Sequence, residues 1–181
     1  MYKNNILMIS TTCLLVSMAV FSISAEEKKE KKIVKTEQTT HQDEELGDIP
    51  DWIHLASDEL AVSGKLDNYL NRFPSSEYYY LKASKKGKSF EGLTFWVVNF
   101  EFDSEIFDLV EKEYQKKLEA AGIPKKRLSS MVTLRSTLLE KYWIEYALSY
   151  DNGSQEKQWE YFVLGVVSKA DIEKAVNRII K

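Results

Sequence analysis

The sequence predicts an α+β fold, an antiparallel β-sheet with helices packed mainly on one face. Three observations lead there. Tyr142 to Tyr150 alternates as a strand, Asp151-Asn152-Gly153-Ser154 supplies turn chemistry, and Trp159 to Val167 returns as the antiparallel partner. Ile106, Phe107, Val110, Tyr114, Leu118 and Ala121 recur at three- and four-residue spacing, as on an amphipathic helix. Strand signals are joined by hairpins rather than by regular βαβ units, which argues against a parallel sheet.

The chain opens with the three parts of a secretory signal peptide. Lys3 is a positive n-region, Ile6 to Phe21 is largely apolar, and Ser22-Ile23-Ser24-Ala25 suits cleavage. Residues 1–25 are expected to be an address that is removed, leaving an exported protein, periplasmic or envelope-associated. The apolar stretch is interrupted by Ser10, Thr11, Thr12 and Ser17, and falls short of the roughly twenty apolar residues a spanning helix needs. A retained anchor is the alternative. Cys13, the one cysteine, has Leu14 to Phe21 still to follow and does not read as the acylated start of a lipoprotein. A chain cleaved after Ala25 has no disulfide, thiol nucleophile or cysteine-based metal site, and such an exported domain points to a bacterial envelope. Stability then rests on burial, which the 44% hydrophobic content and the eight Phe, ten Tyr and four Trp can supply. The formal net charge of −3 favours solubility and is not a nucleic-acid footprint.

Residues 26–47 read as a charged flexible linker. Glu26 to Lys35 interleaves acids with lysines and Thr36 to Gly47 continues polar, too little apolar surface to offset the entropy of ordering. A single α+β globular domain is expected over 48–181, with Asp48 as a cap, Pro50 in a first turn and Trp52 as an apolar anchor. Ser57 to Phe73 carries Leu60, Leu66, Tyr69, Leu70 and Phe73 at loosely helical spacing, and Pro74 ends it. Glu77 to Ala83 reads as a strand and Lys85-Lys86-Gly87-Lys88 as a turn. Leu93 to Phe102 alternates as a strand, with Trp96, Val98, Phe100 and Phe102 on its buried face. Asp103-Ser104 caps the amphipathic helix that follows, and Gly122 with Pro124 stops it. Ser129 to Leu139 fits helix and strand alike. Ser168-x-x-Asp171 caps a C-terminal helix presenting Ile172, Ala175, Val176, Ile179 and Ile180.

Chemistry-bearing residues are sparse. The two histidines are His41, in the expected linker, and His54, ordinary settings for surface or packing residues. No Gly-x-Ser-x-Gly elbow accompanies them. Gly87-Lys88-Ser89 lacks the earlier glycine of a phosphate loop, Lys82 standing in its place. Asp103, Glu105 and Asp108, at an expected helix start, are accounted for by the helix dipole. Asp151, Asn152 and Ser154 lack EF-hand spacing. No catalytic residue, metal or cofactor is expected, and the chain reads as no enzyme.

What remains is surface. Lys82, Lys85, Lys86 and Lys88 cluster around one expected turn and Lys125, Lys126 and Arg127 around another, a pattern suited to a membrane surface or wall polymer. Tyr78, Tyr80, Trp143 and Trp159 offer an aromatic contact surface. The expected partner or ligand surface thus comprises Tyr78, Tyr80, Lys85, Lys86, Lys88, Trp143 and Trp159.

Tyr142-Trp143-Ile144-Glu145, a polar turn, then Trp159-Glu160-Tyr161-Phe162-Val163-Leu164 and Ser168-Lys169-Ala170-Asp171 resemble the end of the LPP20-like family of bacterial envelope lipoproteins. The likeness covers about residues 129–180, and Pro50-Asp51-Trp52 is similar to the family's proline–tryptophan entry. The chain departs from the family in lacking a lipobox and a glycine-rich strand end before an alanine-rich helix. The resemblance implies an α+β envelope domain of a kind that in some members serves outer-membrane flagellar or surface structures; it carries no catalytic residue across. The expected function is a non-enzymatic interaction or assembly module with a protein partner in the envelope. The alternative is a periplasmic domain binding sugar or lipid through aromatic residues. A hydrolase built on carboxylates alone would need a close pair of buried acids with raised pKa.

Overall fold

The computed structural model describes residues 31–42, 48–128 and 134–180. The expected signal segment 1–25, the linker stretches 26–30 and 43–47, and residues 129–133 lie outside the described residues. The fold below is that of the compact unit Lys32–Lys181.

Four strands, β1 (Ile33–His41), β2 (Tyr78–Gly87), β3 (Ser136–Tyr150) and β4 (Gln155–Ser168), form one antiparallel sheet in the order β1-β3-β4-β2. With its helices this is the α+β fold the sequence predicts. β3 and β4 make the expected hairpin, with Trp143 opposite Tyr161 and Gly153 at a φ of 80° in the turn. β4 is central and buried continuously from Tyr161 to Val167. Tyr161, Val163 and Val167 face one core, Phe162, Leu164 and Val166 the other.

One layer is helical. A continuous helix runs from α2 (Phe90–Trp96) through a π-helical turn (Val97–Glu101) into α3 (Phe102–Ala120). Leu93–Phe102 is therefore helix rather than strand. The cap is Ser89, whose Oγ accepts from the Gly92 N–H at 3.3 Å, instead of Asp103-Ser104. The apolar stripe explains both differences. Leu93, Val97, Phe102, Ile106, Val110, Tyr114 and Leu118 are all buried, spaced by four except for the step from Val97 to Phe102. A plain α-helix would rotate Phe102 off the stripe, and one wider turn absorbs the extra residue and restores the phase. Gly122, at a φ of 67°, ends α3 as its place before Pro124 predicts. α4 (Lys169–Ile180), with the Ser168 Oγ accepting from the Asp171 N–H at 3.4 Å, adds Ile172 and Val176 to the same core. Phe102 packs directly on Gly165, where an added Cβ would stand 2.5 Å from Phe102 Cζ and 2.9 Å from the Thr137 carbonyl oxygen. Glycine is what allows that close approach.

The other layer is irregular. Ser57–Phe73 is not the expected helix; the stretch holds turns and the short α1 (Asp67–Leu70), after a 3-10 turn at Asp51–His54. Gly64, at a φ of 72°, interrupts the chain direction. Trp52, Ile53, Leu60, Leu66 and Phe73 still bury their side chains against Tyr80, Tyr142, Ile144, Phe162, Leu164 and Val166. Carbonyls outside a helical ladder need other donors. The Lys82 ammonium donates to the Ile53 carbonyl at 2.8 Å and to that of Leu55. The Tyr80 hydroxyl donates to the Phe73 carbonyl at 2.7 Å. Glu140, at the register shift of β3, accepts from Trp52 Nε1 at 2.7 Å and from the Tyr69 hydroxyl at 2.5 Å.

Two further expectations change. Part of the expected linker is β1, which pairs along β3 with Gln38 opposite Tyr146 and His41 opposite Ile144. Most of its side chains are exposed, so its order comes from the backbone ladder, to which a polar sequence is no obstacle. His41 Nδ1 lies 2.6 Å from the Tyr142 hydroxyl. Lys85-Lys86-Gly87 is not a turn but the end of β2, paired with β4 as far as Gly87 opposite Trp159. No helix among the described residues is long and apolar enough to cross a membrane.

Candidate functional site

Successive side chains of a strand point to opposite faces, so placing the lysines in β2 splits the expected cationic cluster. Lys82 turns into the irregular layer. Lys85, on the helical side, pairs with Glu101 and stands 4.8 Å from the Trp96 ring centre. Lys86 lies 3.5 Å from Glu160 and 5.0 Å from the Tyr146 ring centre. Lys88 pairs with Glu156. Lys85, Lys86 and Lys88 thus each have a carboxylate while Lys82 is held by backbone carbonyls, and the exposed pairs add little stability.

The expected aromatic residues are also dispersed. Tyr80 is buried and its hydroxyl is used. Trp143 and Trp159 are half-buried beside Phe90, with ring centres 5.8 Å and 6.3 Å from it, so they pack the helical layer. Tyr78 meets Phe73 edge-on at 5.2 Å. Of the expected surface residues, Lys85 is the one that touches the aromatic patch the structure exposes.

That patch lies at the junction of α2 and the π-turn. Holding Leu93, Val97 and Phe102 on the core leaves the bulky residues between them facing outward: Phe95 is 62% exposed, Trp96 45% and Phe100 49%. The Phe100 ring centre lies 4.7 Å from that of Trp96 and 6.0 Å from that of Phe95. Trp96 Nε1 donates to Glu101 Oε1 at 2.6 Å, the oxygen that also meets Lys85. Lys85 and then Trp96 hold the Glu101 carboxyl below its ordinary range. The indole is therefore fixed by a hydrogen bond, a cation on its face and a neighbouring ring. A hollow of about 450 Å³ between Asn99, Phe100, Asp103, Ser104 and Phe107 continues the patch along the helix. Phe95, Trp96 and Phe100 escape the sequence reading because a strand would bury Trp96 and Phe100. The available signal was Ser89, a cap just ahead of Leu93 and Val97.

A second feature lies along the outer side of β2. A cleft of about 520 Å³ runs between Tyr78–Leu81, the Ser57–Ala61 turn and one flank of α3. Glu105, Asp108, Lys112 and Lys116 share that flank at three- and four-residue spacing. Since the helix starts at Phe90, these acids lie several turns in, where the helix dipole no longer accounts for them. Burial pushes the Glu105 carboxyl up, Asp108 and Glu101 push the same way, and Lys82 opposes them. At the other end Lys116 pairs with Glu113 at 2.6 Å. Lys169 stands 5.0 Å from the Tyr79 ring centre and donates to the Ser75 carbonyl at 2.7 Å. Burial, followed by Glu113, raises the Tyr79 phenol. The cleft can hold opposite charges at its two ends. No group of three or more His, Cys, Asp or Glu among the described residues is placed to hold a metal ion.

Comparison with family models, curated proteins and solved structures finds no match to this chain.

Proposed function

We propose that this chain is an exported, non-enzymatic interaction or assembly module of the bacterial cell envelope, acting with a protein partner in a cell-surface or motility structure. The observation that carries this reading is the patch of Phe95, Trp96 and Phe100 on the solvent side of the π-turn. Aromatic rings are the usual anchors of protein interfaces, and each keeps a large apolar area in water until it is covered. Trp96 is already held in place by Glu101, Lys85 and Phe100, so less side-chain entropy is lost on binding. The signal segment, the scarcity of histidine and cysteine and the LPP20-like resemblance agree with this reading.

The test is a photo-crosslinking residue placed at Phe95 in cells. The expected result is one discrete adduct that Trp96→Ala abolishes and that the same label at Asn152, in the β3–β4 turn, does not form. Equal labelling from both positions, or none from Phe95, refutes the proposal. The periplasmic sugar- or lipid-binding alternative draws on the hollow beside Phe100, where Asn99, Asp103 and Ser104 set polar groups next to ring faces. A sugar that shifts the Phe100 and Phe107 resonances without a protein partner would move the conclusion there.

A further inference from the structure

The cleft beside β2 is separate from the aromatic patch, and its charges are sorted. One end carries the carboxylates of Asp58, Glu105 and Asp108, with Lys82 as their nearby counter-charge. The other carries Lys112, Lys116 and Lys169, against Glu113. A net negative end thus faces a net positive end across walls that include Tyr79, Leu81 and Leu109. On the outer backbone edge the Tyr78 N–H is taken by the Pro74 carbonyl and the Lys82 N–H by Ser57 Oγ at 3.4 Å, so the charged contacts fall to side chains.

We infer that this cleft binds a short linear peptide with both termini free, its ammonium end at Glu105 and Asp108 and its carboxylate end at Lys112 and Lys116. Spacing sets the length. At 1.5 Å per helical residue, Asp108 to Lys112 covers about 6 Å and Glu105 to Lys116 about 16 Å. An extended chain advances about 3.4 Å per residue, so di- to tetrapeptides span the two ends. A free amino acid, its charges on one carbon, reaches across the shorter gap at most and not from Glu105 to Lys116. The ammonium meets the carboxylates of Glu105 and Asp108, and the terminal carboxylate meets lysines that can donate charge-assisted hydrogen bonds. Leu109 and Tyr79 provide apolar contact for small side chains between the ends.

Isothermal titration of the full chain with alanine, di-, tri- and tetra-alanine tests the length dependence directly. Affinity is expected to rise at least tenfold from alanine to tri-alanine, and to fall at least tenfold when tri-alanine is amidated at its C-terminus or acetylated at its N-terminus. Lys112→Glu, an exposed position, is expected to weaken tri-alanine about tenfold, and Glu105→Gln to remove the preference for the free amine. Phe100→Ala leaves these affinities unchanged, so failure here and failure of the aromatic interface are distinguishable. No measurable binding of any peptide, equal binding of the blocked peptides, or binding of alanine as tight as tri-alanine overturns the inference. Chemical shifts confined to residues outside the cleft overturn it as well.

Discussion

The two faces of the central strand β4 are covered in different ways. On one, α2, α3 and α4 place a regular apolar stripe over Tyr161, Val163 and Val167. On the other, residues 49–77 cover Phe162, Leu164 and Val166 with turns and a single short helix. Both layers are packed, yet the helical one pairs its backbone groups mainly along its own helices. The irregular one borrows donors and acceptors from the sheet, namely Lys82, Tyr80 and Glu140. A regular layer can be specified by apolar spacing alone. An irregular one needs polar side chains placed on its support, because each buried carbonyl left without a partner costs about 1–3 kcal/mol.

The contrast can be broken at its strongest point first. Phe102→Ala empties the contact with Gly165 and is expected to cost about 3–5 kcal/mol in urea denaturation. Gly165→Ala overpacks the same contact and is expected to cost about 1–3 kcal/mol. The double variant should lose less than the sum of the two, since the smaller side chain makes room; strict additivity would mean the two residues are not in contact. Glu140→Leu removes the acceptor of both Trp52 and Tyr69 and is expected to cost about 2–4 kcal/mol. Hydrogen exchange should then accelerate over 49–77 while α3 stays protected. Uniform acceleration would show that the two layers are not separately held.

Lys82→Met leaves the Ile53 and Leu55 carbonyls without their donor, a loss of about 1–3 kcal/mol. Burial lowers the Lys82 pKa in the folded state. Unfolding therefore takes up a proton in the interval below the ordinary lysine value, and wild-type stability rises with pH across it. The variant should lose that slope. Tyr69→Phe has a smaller effect and the opposite sign with pH. Burial, then the Glu140 carboxylate, raises the Tyr69 phenol to about 12. Its contribution is complete below the ordinary value of 10 and disappears as pH climbs to about 12, so the variant's alkaline denaturation should be less steep. The smallest effect belongs to Trp96→Ala and Phe100→Ala, expected within about 0.5 kcal/mol of wild type because both rings are exposed. A large loss there would make the patch structural.

Elements whose apolar period matches their final structure were legible. The β3–β4 hairpin, the stripe from Ile106 to Leu118, the stop at Gly122 and the capped C-terminal helix all follow from local pattern. Leu93–Phe102 was not, because the five-residue step from Val97 to Phe102 breaks the helical period and its bulky residues also alternate as in a strand. Nor was β1, whose polar residues gain order from pairing with β3, a partner more than a hundred positions away. The candidate sites fared accordingly: Lys85 was in view, while Phe95, Trp96 and Phe100 were hidden by the mistaken strand, and Glu105 by a helix start placed too late.

By itself the sequence determined the fold class, the central hairpin and the expectation of an exported chain poor in catalytic side chains, because these depend on composition and on patterns a few residues long. The helix over residues 90–101 that exposes an aromatic patch, the alternation that divides the lysines of β2, and the cleft that sorts carboxylates from lysines were decided by tertiary structure. Each depends on where a helix or strand lies against the sheet, and that position is set by burial of residues far apart in the chain.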